Sequence, residues 1–419
     1  LLERRRSQVG KAVKLECAIC GKTYDPDPEF TTCPDCGIDG TMHVLYDYEE
    51  IGETMTAESL ARDPNRSLWR YLPLLPVSDV DAIPALQVGW TPLYDSGALA
   101  ERYGVGRLLV KDDGRNPTAS YKDRASAVAT AMAKELGRDV VACASTGNAA
   151  SSLSGFAAVS GLKSVIFVPE AAPEAKVTQL LVYGSRVFSV RGDYEETVNL
   201  AIEAIDSEGW YNRNCAINPY LVEGKKTCAM EIAEQMDWKV PDRVITSVGD
   251  GCIISSLYKG FLDLKRIGLI DRIPAITGVQ AEGACPVHDA VRSGADRVTF
   301  GPADTVADSI SVGAPRNWAK ALNAVRSSGG TTVTVSDQEI LEAMTELARA
   351  TGVFGEPAGV TSFAGFKKMA NQGTLGSDEV VAIVVTGNGL KDAASARKAV
   401  EAPTSVDPSM ESLLKVLKR

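Results

Sequence analysis

Val140-Val141-Ala142-Cys143-Ala144 is followed by Ser145-Thr146-Gly147-Asn148, then by small and apolar residues from 149 to 160, then by a second apolar run at 164–169. A short run of β-branched residues, a turn of helix-capping residues and a helix-length stretch leading to another run is the pattern of a βαβ unit. The alternation continues through apolar runs at 186–190, 243–248, 276–279, 331–335 and 379–386, separated by amphipathic stretches of helical length. Val/Ile runs that do not alternate with polar residues are buried on both faces, so the expected fold is α/β, with mostly parallel sheets covered by helices. Ligands of such sheets lie outside the carboxyl ends of the strands. Residues 46–110 give mixed signals, broken by Pro73, Pro76, Pro84 and Pro92, and 403–419 reads as a tail with a short helix.

The chain has 419 residues, 45% hydrophobic and 23% charged, which suffices for two or three domains with a large buried core. A formal charge of −10 gives no long-range attraction to phosphate backbones or anionic lipid, so neither nucleic acid nor a membrane is an expected partner. No apolar run is long enough to cross a bilayer, and Leu1-Leu2-Glu3-Arg4-Arg5-Arg6 lacks the apolar centre of a secretion signal; a soluble, cytoplasmic protein is expected. Of nine cysteines, four stand as Cys17-x-x-Cys20 and Cys33-x-x-Cys36, each pair followed by a glycine, Gly21 or Gly37. That is metal spacing rather than a disulfide framework. Four thiolates suit a closed tetrahedral zinc, with iron as the alternative, and a closed site holds a segment together instead of binding substrate.

Four segments at strand ends carry residues capable of chemistry. Lys122 lies in Lys111-Asp112-Asp113-Gly114-Arg115-Asn116-Pro117-Thr118-Ala119-Ser120-Tyr121-Lys122-Asp123-Arg124; taken alone it is a solvated lysine. Ser145, Thr146, Gly147 and Asn148 open a helix whose free amides and dipole suit a carboxylate or phosphate, although the same residues also make a good cap. Gly249, Asp250, Gly251, Cys252 and Ile253 precede a helix with apolar residues Ile253, Leu257, Phe261 and Leu264 at helical spacing. Its glycines let the backbone close on an anion, whereas Asp250 opposes one unless its carboxylate points away. Thr386 ends the run at 379–386 and begins Thr386-Gly387-Asn388-Gly389-Leu390-Lys391-Asp392, where a side chain would reach a bound ring.

Together these segments resemble the fold-type-II pyridoxal-phosphate enzymes, and among them the threonine synthases, over essentially the whole chain. That family carries Asn-Pro-Thr-Gly-Ser-Phe-Lys-Asp-Arg, the Ser-Thr-Gly-Asn turn, a glycine phosphate loop and Thr-Gly-(His or Asn)-Gly-Leu-Lys-Asp, and some members have a cysteine knuckle. The resemblance implies pyridoxal 5'-phosphate held as a Schiff base on Lys122, its phenolic oxygen beside Asn148, its phosphate on Gly249 to Ile253 and its pyridine nitrogen on Thr386. It also implies a zinc-ribbon-like knuckle (13–45), a large domain (46–125 and 215–402), a small α/β domain (126–214), a tail (403–419) and a homodimer. A lysine must be partly neutral to attack an aldehyde, and an enclosed cleft lowers its pKa accordingly. A hydroxyl at the pyridine nitrogen does not keep the ring protonated, which suits elimination and replacement better than transamination.

One stretch departs from the family. Threonine synthases show Asn-Ser-x-Asn-x-x-Arg-x-Glu-Gly-Gln-Lys-Thr, whose Asn, Ser and Arg hold the substrate's phosphate, where this chain has Cys215, Ala216 and Leu221, with Lys225 for Gln. Ala119 replaces the family's Gly. The expected function is elimination or replacement at the β carbon of a small amino acid whose substituent is not a phosphomonoester. Two rivals stand beside it: a threonine synthase that uses Lys225 or Lys226 for phosphate, and a catalytically idle zinc-ribbon binding protein. The substrate-binding residues expected are Ser145 to Asn148, Cys215, Ala216, Leu221 and Lys225.

Overall fold

The apolar runs form strands in the computed structural model, which describes residues 9–417 except 29, 146, 173 and 193. Three short N-terminal strands, β1 (Lys14–Cys17), β2 (Thr23–Tyr24) and β3 (Met42–Leu45), make an antiparallel sheet in the order β2-β1-β3. Then come β4 (Leu93–Asp95), β5 (Arg107–Asp112), β6 (Val140–Ala144), β7 (Lys163–Pro169), β8 (Arg186–Val190) and β9 (Tyr211–Asn212). The last four are β10 (Arg243–Ser247), β11 (Ala275–Ala281), β12 (Thr332–Val335) and β13 (Val380–Val385). The larger sheet runs β12-β11-β10-β13-β5-β4, parallel throughout except for the edge strand β4. The second sheet, β8-β7-β6-β9, is wholly parallel.

β13 lies between β10 and β5, and Val381 to Val385 have no exposed surface, as a non-alternating run requires. β5 was not visible in the sequence because it ends in charge: Lys111 and Asp112 are buried, and Lys111 Nζ is held by Thr91 O (2.7 Å), Gln235 Oε1 (2.9 Å) and Glu231 Oε2 (2.7 Å). β9 is too short to show a pattern.

Helix Lys122–Glu135 joins the two sheets and packs on helix Tyr220–Gln235, which packs in turn on helix Cys252–Arg266. Small residues let these backbones approach. A Cβ on Gly224 would lie 2.1 Å from Arg124 O, and one on Gly260 would lie 2.3 Å from Lys226 O. Filling either position would force the helices apart. The final helix, Met410–Leu417, buries none of its residues. No helix among the described residues is long and apolar enough to cross a membrane.

Candidate active site

The run 116–124 is stitched to the segment after β13. Tyr121 N–H donates to Thr386 O (2.8 Å), Asn388 N–H donates to Ala119 O (3.0 Å), and Ser120 pairs with Gly387. Two sequence motifs more than 250 residues apart thereby form one wall. Ala119 has φ +66°, the left-handed region in which an L side chain is strained, and it occupies the position where the family has glycine. Lys122 is the first residue of its helix and lines a cleft with Asn148, Gly249 to Ile253 and Thr386. Burial first, then the charges of Lys225 and Arg213, push its pKa down to about 8. Its ammonium has no carboxylate at ion-pairing distance among the described residues, so this lysine is poised as an amine.

Asn148 begins helix Asn148–Ser160 where β6 ends, and its Nδ2 donates to Glu356 Oε1 at 2.6 Å. Glu356 caps helix Pro357–Asn371, with its N–H on Gly387 O at 2.9 Å, and burial raises its carboxyl to about 7 despite nearby Lys391, Asn148 and Lys122. Sequence reading missed Glu356. Its only signal is a glutamate before a proline at a helix start, which reads as local structure. Ser145 Oγ accepts from Gly147 N–H (3.2 Å), while Thr146 lies outside the described residues.

The glycine loop links β10 to helix Cys252–Arg266. Gly251, at φ +86°, caps that helix, and a Cβ there would lie 2.9 Å from Asn317 O. Asp250 spends its carboxylate on Arg316 N–H at 3.4 Å. Ser247 Oγ also lines the cleft and is buried with no hydrogen-bond partner among the described residues. The cleft holds about 50 Å³ and shares Asn148, Ser309, Glu356 and Ala358 with a neighbouring cavity of about 400 Å³ that Lys176, Lys391 and Asp392 also line. An unpaired amine, a helix N-terminus behind two glycines, an orphaned hydroxyl and the Thr386 hydroxyl are the donor set that a phosphorylated pyridine aldehyde requires. These residues fit pyridoxal phosphate.

The departing stretch borders this cleft from behind. Cys215, Ala216, Leu221 and Lys225 are all buried, and none lines either cavity; Leu221 belongs to the apolar core. Lys225 lies beside Cys215 and Cys252, and although burial works against its ammonium, interaction with those sulfurs, Cys215 first, raises its pKa. Arg213, another residue missed in the sequence, bonds Ser126 Oγ (3.2 Å) and Lys122 O (3.1 Å).

At the opposite end of the chain, the sulfurs of Cys17, Cys20, Cys33 and Cys36 all lie within 4.8 Å of one another. Gly21 and Gly37 take φ +69° and +61° in the two turns, and Ile19 N–H donates to Cys17 Sγ at 3.4 Å. Soft thiolates at this separation suit a tetrahedral metal.

Comparison with known proteins gives concordant findings. The family described as pyridoxal-phosphate dependent enzyme matches residues 85–387. A threonine synthase of Methanocaldococcus jannaschii is 42% identical over 404 residues, covering 96% of this chain and 98% of that protein. A threonine synthase of Methanosarcina acetivorans is 42% identical over 402 residues, covering 95% and 97%. Among solved structures, threonine deaminase isoform 2 from Solanum lycopersicum superposes with a TM-score of 0.63 at 22% identity, covering 74% of this chain and 83% of that one. Maize serine racemase gives 0.61 at 21% identity over 78% and 91%. At such identities the two structures speak for the fold alone.

Proposed function

Since the chain belongs to the pyridoxal-phosphate dependent enzyme family and is an enzyme of the lyase type, we propose that it catalyses elimination or replacement at the β carbon of a small amino acid whose substituent is not a phosphomonoester. Bound pyridoxal phosphate supplies an electron sink for charge developing at the substrate's α carbon. Lys122 Nζ, with its pKa near 8, carries the cofactor and moves the proton at that carbon. Asn148 would lie beside the ring's phenolic oxygen, Thr386 would offer its hydroxyl to the ring nitrogen, and Gly249 to Ile253 would hold the phosphate on backbone amides. The turn Ser145 to Asn148 holds the substrate carboxylate at a helix N-terminus. Glu356, a neutral acid through much of its population near neutrality, keeps the Asn148 amide in place.

The observation that carries the substrate class is the burial of Leu221 in the core, with Lys225 buried beside Cys215. Cys215, Ala216 and Leu221 lie outside both cavities and offer no polar side-chain donor like the family's Asn, Ser and Arg, so a substrate phosphate would go without those partners, a deficit of several kcal/mol. The test is kcat/KM for O-phosphohomoserine beside serine, threonine and other β- or γ-substituted amino acids. Efficient conversion of O-phosphohomoserine to threonine, with the others poor, overturns this reading. The 42% identity to threonine synthases and the buried Lys225 ammonium favour that second reading, threonine synthase itself.

We further infer a structural zinc on Cys17, Cys20, Cys33 and Cys36. Metal analysis should give about one zinc per chain; a content near zero in carefully purified protein would refute it. The homodimer implied by the resemblance is checked by sedimentation.

A further inference from the structure

The start of helix Trp318–Ser327 touches both the glycine loop and the cysteine knuckle. On the loop side, Asn317 is 1% exposed; its backbone N–H donates to Asp250 O (3.0 Å), and its Nδ2 donates to Cys252 Sγ (3.1 Å) and Ala216 O (3.2 Å). With Arg316 N–H on the Asp250 carboxylate and Asn317 O against Gly251, this segment sets the form of the loop. On the knuckle side, Trp318 Nε1 donates to Asp39 Oδ1 (3.5 Å), and the buried Lys320 donates through Nζ to Met42 O. Arg297 binds the same Asp39 carboxylate with its guanidinium 5.4 Å from the Trp318 ring centre. Asp39 and Met42 are in turn placed by the cysteine turns. Gly37–Asp39 follow Cys36 as one turn of helix, Cys33 N–H donates to Gly40 O (2.9 Å), and Met42 pairs with Cys17 across β3 and β1. A Cβ on Gly40 would lie 2.7 Å from the Cβ atoms of both Cys33 and Cys36. The knuckle's strands are only two to four residues long, too short to hold these turns without a further tie, and a metal on the thiolates supplies one.

We propose that the cysteine knuckle positions the cofactor's phosphate loop: metal on its four thiolates fixes Asp39 and Met42, these anchor Trp318 and Lys320, and Asn317 beside them holds Gly249 to Ile253 in the form that takes an anion. Asn317 is thus a positioning residue, acting on the phosphate through the backbone of the loop. The inference rests on the proposed zinc and on the proposed placement of the phosphate at Gly249 to Ile253. Two sites joined in this way are coupled, and the coupling is reciprocal: the factor by which metal raises cofactor affinity is the factor by which cofactor raises metal affinity. A separate contact of the knuckle, Tyr220 O–H on Asp27 O (3.0 Å), bypasses the 316–320 segment and supplies a control.

The experiment titrates the full chain, metal-loaded and after chelation, with pyridoxal phosphate and reads the cofactor absorption band. Metal removal should weaken cofactor affinity about tenfold or more, as for the loss of one or two hydrogen bonds to a phosphate. Competition against a chelator should show metal affinity falling by the same factor when cofactor is absent. Because chelation also loosens the knuckle itself, the route is read in metal-loaded variants. Asp39→Ala and Lys320→Met each cut one anchor and should weaken cofactor binding about threefold to tenfold with metal content unchanged, whereas Tyr220→Phe should leave it unchanged. In Asn317→Ala, cofactor affinity should fall and respond less to metal. Equal cofactor affinity with and without metal overturns the coupling. Unchanged affinity in both Asp39→Ala and Lys320→Met, or an effect of Tyr220→Phe as large as theirs, overturns the route, whether or not the metal-free chain stays folded. Absence of metal from the purified protein refutes the zinc and its part in the coupling, and the two anchor variants then decide whether the knuckle positions the loop. Absence of a cofactor band from every preparation refutes the placement of the cofactor and this inference with it, whereas a band whose titration ignores metal and anchors refutes the inference alone.

Discussion

Helix Lys122–Glu135 begins between two buried groups of charges built on opposite plans. At its third residue, Arg124 is wholly buried and meets Asp113 through Nε (2.7 Å) and Glu231 through Nη2 (2.8 Å), while Lys111 completes the group. Every charge there has an opposite partner. At its first residue, Lys122 faces Lys225, Arg213 and two cysteines, with no carboxylate at ion-pairing distance among the described residues. The same contrast separates adjacent lysines on the next helix. Lys226 binds Glu223 and Asp263 (2.6 Å), whereas Lys225 has no carboxylate at ion-pairing distance among the described residues and faces the sulfurs of Cys215 and Cys252. Balanced charge fastens helices together; unbalanced positive charge beside a cleft favours an anion.

The contrast is tested most severely at Lys122. Lys122→Ala should abolish turnover and covalent cofactor retention while leaving the unfolding midpoint close to that of the parent, since no ion pair is lost. Borohydride labelling at Lys111 or Lys226 instead would break the assignment. Arg124→Leu should do the reverse and destabilise the fold by about 3–5 kcal/mol, because Asp113 and Glu231 are left buried without their partner. Urea denaturation measures this, and a loss under about 1 kcal/mol would mean that the balanced group is not the fastening it is taken to be.

Acidity sharpens the comparison further. Only the neutral amine attacks the cofactor's aldehyde, so the rate of cofactor uptake by apoenzyme should rise with pH to a plateau above about 8. Lys225→Met removes the largest single charge that lowers this pKa, so the midpoint should move upward, toward the ordinary lysine value of 10.5. A midpoint that stays fixed or falls would show that the two ammonium groups do not interact.

Much of this was legible in sequence because the informative residues are adjacent. The turn after β6, the glycine loop and the two Cys-x-x-Cys turns are each a local conformation written in consecutive residues, and glycines at φ +69°, +61° and +86° stand where the turns require them. What was hidden depends on distant partners. The strand character of β5 is masked by Lys111 and Asp112, which are tolerated inside only because residues such as Thr91 and Glu231 receive that lysine. Glu356 reaches the site only because Gly387 fixes its backbone and Asn148 its side chain. Nothing in Lys225-Lys226 states which lysine has carboxylate partners; helix geometry turns one toward Asp263 and the other toward Cys215.

The smallest expected effect concerns the loop that joins the two charge groups. Between Asp113 and Lys122 the chain must turn sharply enough for Asn388 to bond Ala119 O while Tyr121 bonds Thr386 O, and it does so with Ala119 at φ +66°. An L side chain in that region is disfavoured by about 1–2 kcal/mol, part of which glycine loses again through its greater freedom when unfolded. Ala119→Gly should therefore raise stability by about 1 kcal/mol, read as a higher urea midpoint at unchanged slope. Ala119 also lines the 400 Å³ cavity, so the same variant reports on function. If the methyl group only bears strain, kcat/KM stays within about twofold, a change under half a kcal/mol. If it shapes the wall against which the substrate lies, specificity changes while stability rises, and the loop belongs with the unbalanced group.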